Sequence, residues 1–485
     1  MATGYERKLG LSETLSIVVG RIIGSGIFRT PAPIMACVGV VSMFYGAWIV
    51  GGIITILSAL LFAELVAMVP RSGGPYVYLR LAYHPLVAFL RGWAMFFVSE
   101  TASIVAVALV FSAYGLGLVA QIDPELMADL GVSSALILRG SIAFTLIWLL
   151  TLANCFGVFL SGIIQDIFSV VKIAALLMIA AACFGSSPDF SHFGMDVIAN
   201  PDPDAPEAGS IAALFAALRY SFFAYSGWEG ATYVAEEVKE PEKNLPRSLF
   251  LGIGTVMVLY LLVNTAYLTQ LSPQEMVENK AVAVQSMTNA VGIVGAVLVG
   301  LAIMVSTFGN VSSQVLVKSR TWHAMARDGL FFRFLGELSP SYRTPNRALL
   351  FQGFWASCLL ALAVFAEVFH SDPERDNLYE TIIDFFSFTS TIFNILTLAS
   401  VAVLRYKLPD LPRPFRVPYL SAVLGVVMLL QIAFLVYTLM DAFVPSLLGF
   451  ALTLSGLVYW FWFVDPEKRK SIGHDQVLAE LKKND

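Results

Sequence analysis

Apolar runs recur along almost the whole chain, each near the ~20 residues that an α-helix needs to cross a bilayer. Twelve such runs are present: 12–38, 41–69, 86–120, 135–155, 159–185, 210–238, 246–269, 283–317, 348–369, 381–404, 418–440 and 444–464. Polar residues collect between them. The pattern predicts an all-α membrane protein with twelve transmembrane helices. Stretch 1–11 is short and polar, and the first run follows it without a small-residue cleavage pattern. That combination reads as a retained membrane helix, not a signal peptide.

Basic residues near span ends set the orientation, because they favour the cytoplasmic side. With the N-terminus inside, 23 of the 30 Lys and Arg residues fall on inside segments or the adjoining span ends. Arg71, Arg80 and Arg91 form one such group; Lys318, Arg320, Arg327, Arg333, Arg343 and Arg347 form another. Only Arg139, Lys280 and Arg375 fall outside, and Arg21, Arg29, Lys172 and Arg219 lie within spans. Adding or removing one span midway scrambles this bias, so twelve spans with both termini cytoplasmic is the expected topology. The outer loops lean acidic, with Asp123, Glu125 and Asp129 in one and Asp189, Asp196, Asp202, Asp204 and Glu207 in another; these read as solvated surface.

Composition narrows the class further. Charged residues make up 13% of the chain and the AVILMFWYC class 57%, against about 25% charged residues in soluble domains. Neither a soluble nor a disordered chain fits. The formal charge of −5 leaves no footprint for nucleic acid. Cys37, Cys155, Cys183 and Cys358 are scattered, which excludes a disulfide framework or zinc site. No cofactor is implied.

Two runs are interrupted. The first contains Val19-Gly20-Arg21-Ile22-Ile23-Gly24-Ser25-Gly26-Ile27-Phe28, with three glycines in seven residues. Glycine weakens a helix, and backbone groups freed in lipid need a cavity or a ligand. The spacing Gly20-x-x-x-Gly24 equally fits a small-residue packing face. The sixth run carries Phe222-Phe223-Ala224-Tyr225-Ser226-Gly227-Trp228-Glu229-Gly230, again a Ser-Gly pair at mid-membrane. Interruptions in spans 1 and 6 occupy matching places in two five-helix halves of opposite orientation, a pointer to a transporter's midplane site. Free N–H groups of a half-helix starting near Ile27 suit a carboxylate. Carbonyls around Tyr225-Ser226-Gly227 suit an ammonium. Together they describe the zwitterionic part of an amino acid.

These motifs resemble those of the amino acid–polyamine–organocation (APC) superfamily, especially its L-type amino acid transporter branch. Residues 19–28 are similar to its first helix, and 223–228 with the following stretch to Pro246 to its sixth helix and loop. Ala63-Glu64-Leu65, Pro70 to Tyr78, Ala324 to Gly329 and the proline-rich stretch 405–418 also fit, so the resemblance covers roughly residues 10–465. It implies a leucine-transporter-type fold, a 5+5 inverted repeat with broken helices 1 and 6. The chain then divides into 1–11, repeats at 12–185 and 186–404, helices 11 and 12 at 405–464, and a cytoplasmic tail at 465–485. The implied activity is alternating-access amino acid transport across the plasma membrane, as sodium-independent exchange or, alternatively, as a proton-coupled amino acid or polyamine permease. The resemblance assigns the carboxylate to Ile23, Gly24, Ser25, Gly26 and Ile27 and the ammonium to Phe223, Ala224 and Ser226, with Trp228 bordering the site. In this branch a lysine of helix 5, here Lys172, stands where sodium-coupled relatives bind sodium and ties helix 1 to Ser306 and Thr307.

Each charge at bilayer depth needs a reason. Lys172 either fills that role or snorkels to the cytoplasmic side. Arg21 and Glu229 lie about one turn on the cytoplasmic side of their breaks, which predicts a buried pair closing the inner gate. Glu100 and Arg219 either pair with each other or with Arg21, or meet a charged substrate. Thr389, Ser390 and Asn394 in span 10 and Asn310 in span 8 are expected to bond between helices, with span 10 a candidate for the permeation path. An integral-membrane enzyme is the other class to weigh, but His84, His192, His323, His370 and His474 form no metal spacing. Animal members of the branch bond to a single-span partner through a cysteine between spans 3 and 4. Loop 121–134 has none, so no disulfide-linked partner is expected. The expected partners are the lipid bilayer and an amino acid substrate.

Overall fold

The computed structural model describes residues 5–122, 125, 131–194, 198, 206–279, 281–369 and 378–470. The expectations for Asp123, Asp129, Asp196, Asp202, Asp204, Lys280, His370, Arg375, His474 and the tail beyond Lys470 lie outside the described residues. Among those described, every element is helical apart from one β-bridge between Leu9 and Val238. Helices satisfy their own backbone, which is why they can cross hydrocarbon.

Among the described residues eleven helical segments are long and apolar enough to span, from Leu11–Arg29 to Phe443–Phe463, and each falls on one of the twelve expected runs. The remaining run is the sixth. It is divided into a 15-residue α-helix, Ile211–Tyr225, and a 3-10 segment, Trp228–Glu237, so neither piece alone reaches spanning length. Span 2 lies along span 7, span 3 along span 8 and span 4 along span 9, while span 1 rests on span 7 as span 6 rests on span 2. Such reciprocity between positions five apart is what two related five-helix halves produce. Apolar side chains such as Leu429, Val436, Leu448 and Trp462 of the last two spans face outward, as lipid requires.

Three boundaries differ from expectation. Span 8 splits at Gly292 (φ +69°) into Val282–Val291 and a 35-residue helix, Ile293–Arg327, which runs ten residues beyond its expected end. It carries Lys318 and Arg320 into full burial. Span 3 is not one regular helix: Pro85–Ala94 passes through a π-helical turn, Met95–Ser99, into Glu100–Ile122. The segment between spans 2 and 3 contains a buried helix, Pro75–Ala82.

Candidate functional site

Span 1 runs as a helix over Leu11–Ile22, turns extended at Ile23 (φ −73°, ψ 90°) and resumes at Gly26–Arg29. Thr30 keeps helical angles, so the outer half continues through Pro31–Val38. A helix end strands its last carbonyls, and here each finds a donor. Val19 O accepts from Ile23 N at 2.8 Å. The Lys172 ammonium donates to Gly20 O (2.6 Å) and Ile23 O (2.7 Å). Asn310 Nδ2 donates to Arg21 O at 2.9 Å, and the Tyr260 hydroxyl lies 3.1 Å from Ile22 O. Ser306 Oγ sits 3.2 Å from both Ile23 O and Gly24 O. The break is thus held by side chains from spans 5, 7 and 8.

Lys172 is buried and does not snorkel. Thr307 departs from expectation: its hydroxyl turns back to Ile303 O and Met304 O of its own helix. The glycines serve close approach as well as interruption. A Cβ on Gly20 would stand 2.8 Å from Ser169 Oγ, and one on Gly24 would stand 2.9 Å from Asn310 Nδ2.

Span 6 breaks at Ser226 (extended) and Gly227 (φ +90°), a left-handed conformation that favours glycine. The two breaks touch. A Cβ on Gly26 would come within 2.8 Å of Ala224 Cα, and one on Gly227 within 3.1 Å of Arg21 O. Tyr260 joins them, because its hydroxyl is also 3.1 Å from Ala224 O. Phe223 O already accepts from Ser226 N (3.1 Å) and Ser226 Oγ (2.7 Å). Two carbonyls expected to meet an ammonium therefore have partners inside the chain. Tyr260 was not foreseen, since nothing in the sequence separates it from the other tyrosines.

A cavity of about 240 Å³ adjoins the second break and is lined there by Phe223, Ser226, Gly227, Trp228 and Glu229. This is below the ~300–1,000 Å³ typical of drug-sized sites and suits a small molecule. Arg21, Arg91, Glu100 and Arg219 also line it, as do Ser390 and Asn394 of span 10. Ile23, Gly24, Ser25, Gly26 and Ile27 do not: all five are buried, away from the lining. Ala224 and Tyr225 are likewise buried, Tyr225 against Trp48 and Tyr260. Trp228 packs edge-on to Phe62 at 4.8 Å.

The expected Arg21–Glu229 pair is replaced by a network around Lys318. Its ammonium lies 2.8 Å from Glu100, 3.7 Å from Glu229 and 3.1 Å from the Tyr233 hydroxyl, and Arg21 stands 4.0 Å from Glu100. Glu100, expected to pair with Arg219, Arg21 or a charged substrate, meets Lys318 and Arg21, and Arg219 Nη2 donates to the Tyr220 hydroxyl at 2.7 Å. Lys318 escaped notice because a basic residue near a cytoplasmic span end reads as an ordinary orientation signal. Lys318→Met takes the shared ammonium from Glu100 and Glu229 and is expected to destabilise the fold by about 3 kcal/mol. Adding Glu100→Gln should recover part of that loss in a thermal-unfolding cycle.

Motifs noted separately in the sequence meet on the side of the fold that carries the N-terminal stretch. Glu64 bonds Arg405 in bidentate fashion (2.8 and 2.6 Å) and accepts from Val417 N at 2.7 Å. Asp328 takes Arg71 at 2.9 Å, the Tyr76 hydroxyl at 2.8 Å, and Arg80. Burial opposes the charge on Asp328, but Arg71 and Arg80 outweigh it and hold the carboxyl below its ordinary range. Its stabilisation is therefore present at neutral pH and lost as pH falls through that lowered value. Asp328→Asn, removing the carboxylate that Arg71 and Arg80 share, should cost about 3 kcal/mol in unfolding measurements at neutral pH and much less in acid. The N-terminal stretch closes the same side: Lys8 N and Leu9 N donate to Glu237 O at 2.9 Å, and Lys239 N donates to Leu9 O at 2.8 Å. Leu9 is fully buried, unlike the polar surface expected of 1–11.

Residues 9–463 match the family model described as Amino acid permease. The chain is 34% identical over 458 residues to the Large neutral amino acids transporter small subunit 2 of Mus musculus, covering 94% of this chain and 81% of that protein. It is 28% identical over 464 residues to the b(0,+)-type amino acid transporter 1 of Mus musculus, with 95% and 89% covered. It is 29% identical over 470 residues to the Cystine/glutamate transporter of Homo sapiens, with 96% and 86% covered. With nearly its whole length matched, the chain belongs to the amino acid permease family of the APC superfamily, close to the L-type branch.

Proposed function

We propose that the protein is a secondary transporter that exchanges amino acids across the membrane by alternating access without sodium. One observation carries the sodium-independence: the Lys172 ammonium occupies the carbonyl cage of the first break, where a free cation would otherwise be needed. The α-carboxylate is assigned to the N–H groups of Gly24, Ser25, Gly26 and Ile27, which begin the outer half-helix. The α-ammonium is assigned to the acceptors around Ser226, with Trp228 at the border. The cavity reaches the second break and leaves the first behind its wall, so the site is completed when repeats 12–185 and 186–404 move relative to each other. The protein resides in the plasma membrane with both termini cytoplasmic, a reading supported by the distribution of basic residues. Loop 121–134 has no cysteine to bond a partner subunit, which supports function without a disulfide-linked partner.

Counterflow decides the mechanism. Proteoliposomes preloaded with unlabelled amino acid should accelerate uptake of labelled amino acid, unchanged by replacing sodium and by imposing a pH gradient. Uptake that needs no internal substrate and follows the pH gradient assigns proton coupling instead.

A further inference from the structure

Arg91 makes no ion pair of its own with the described residues around the cavity, although it lies within electrostatic reach of Glu100. It lies on Pro85–Ala94, is 6% exposed and lines the cavity. Its Nε and Nη1 are buried without a hydrogen-bond partner. Among the described residues no carboxylate pairs with it; its neighbour is the Phe393 ring, whose centroid is 5.9 Å from the guanidinium carbon. By contrast, Glu100 and Glu229 are matched by Lys318 and Arg21, and Arg219 bonds Tyr220. Arg21, Lys318, Arg91 and Arg219 outnumber Glu100 and Glu229, so the surroundings of the cavity are positive.

The backbone places it there by a specific irregularity. Nine residues of α-helix, at about 100° each, would turn Arg91 and Glu100 to opposite faces. The π turn at Met95–Ser99 inserts one extra residue, which moves Glu100 back by roughly 100° and brings both side chains to one cavity. The Thr101 hydroxyl marks the turn by donating five residues back, to Phe96 O at 2.8 Å. A buried guanidinium with unbonded N–H groups and no ion pair is costly, and a ligand's anion would supply what it lacks. Its planar fork matches a carboxylate, and the neutral hydroxyls and amides of Ser58, Ser390, Thr391 and Asn394 on the same cavity compete with it for no charge.

We propose that Arg91 docks an anionic substrate side chain, so that the amino acid carried bears a second carboxylate. The assignment rests on the transport reading above and adds the substrate class. Glutamate and glutamine, nearly identical in shape and different in charge, are the probes. In proteoliposomes the wild-type protein should take up glutamate at least tenfold more efficiently than glutamine. R91Q should lower the glutamate-to-glutamine ratio at least tenfold, and R91K should restore part of it. Competition on the wild-type protein needs no variant: excess glutamate should suppress labelled glutamine uptake more strongly than excess leucine or lysine does. A wild-type protein that carries glutamine or leucine and rejects glutamate overturns the assignment and leaves amino acid transport standing. So does an R91Q ratio equal to wild type. A protein that moves no amino acid of any class refutes the transport reading and this assignment with it.

Discussion

Lys172→Met is expected to lower transport by about 100-fold, the scale on which a misplaced group near 1 Å disables a positioned site. The ammonium is the shared donor to Gly20 O and Ile23 O, the two carbonyls flanking the bend of span 1. Methionine fills the space and bonds neither. Two carbonyls left unmet cost about 1–3 kcal/mol each, while removing a buried charge returns part of that. The effect on stability should therefore be modest and the effect on transport large, because the bend loses its angle before the protein loses its fold. Uptake and thermal unfolding measured on one preparation test this. Wild-type uptake by Lys172→Met would remove the lysine from the mechanism, and sodium-dependent uptake by the wild type would remove its proposed role as a fixed cation.

The second large effect is expected from Gly26→Ala. The added methyl would stand 2.8 Å from Ala224 Cα, a backbone atom that cannot rotate away. Spans 1 and 6 must then separate, and the cost of such overpacking is about 1–3 kcal/mol. Transport should be abolished, since the proposed site places one substrate between the two breaks. Gly24→Ala is the informative contrast: its obstacle is the Asn310 amide, the end of a side chain able to shift, so a partial loss is expected there. Equal activity in both variants, near wild type, would show that the breaks do not work in contact.

The residues that could be read in advance were those whose signal is local. Apolar runs, the Gly24-Ser25-Gly26 and Ser226-Gly227 interruptions and a lone lysine at membrane depth each announce themselves within a few residues. Pairings across the fold do not. Lys318 and the π turn before Glu100 depend on how far span 8 continues and how span 3 winds. Tyr260 matters only because two distant breaks meet over it. The motifs at Glu64 and 405–418, and those at 70–78 and 324–329, were visible as separate stretches; that each is the other's partner needed coordinates. The Arg21–Glu229 pairing failed for the same reason: proximity of two half-helices was inferred correctly enough to place both residues at one cavity, but not to reveal the third chain segment between them.

Tyr260 has a single hydroxyl proton and two carbonyls at equal distance, Ile22 O and Ala224 O. It satisfies one fully or both weakly, never both fully. While the broken spans stay together the proton is shared; once they part it follows one of them, and the abandoned carbonyl must find water or substrate. Parting of the two halves would thus be coupled to solvation of backbone carbonyls that lie buried at both breaks, so whatever reaches those carbonyls sets the resistance to the motion.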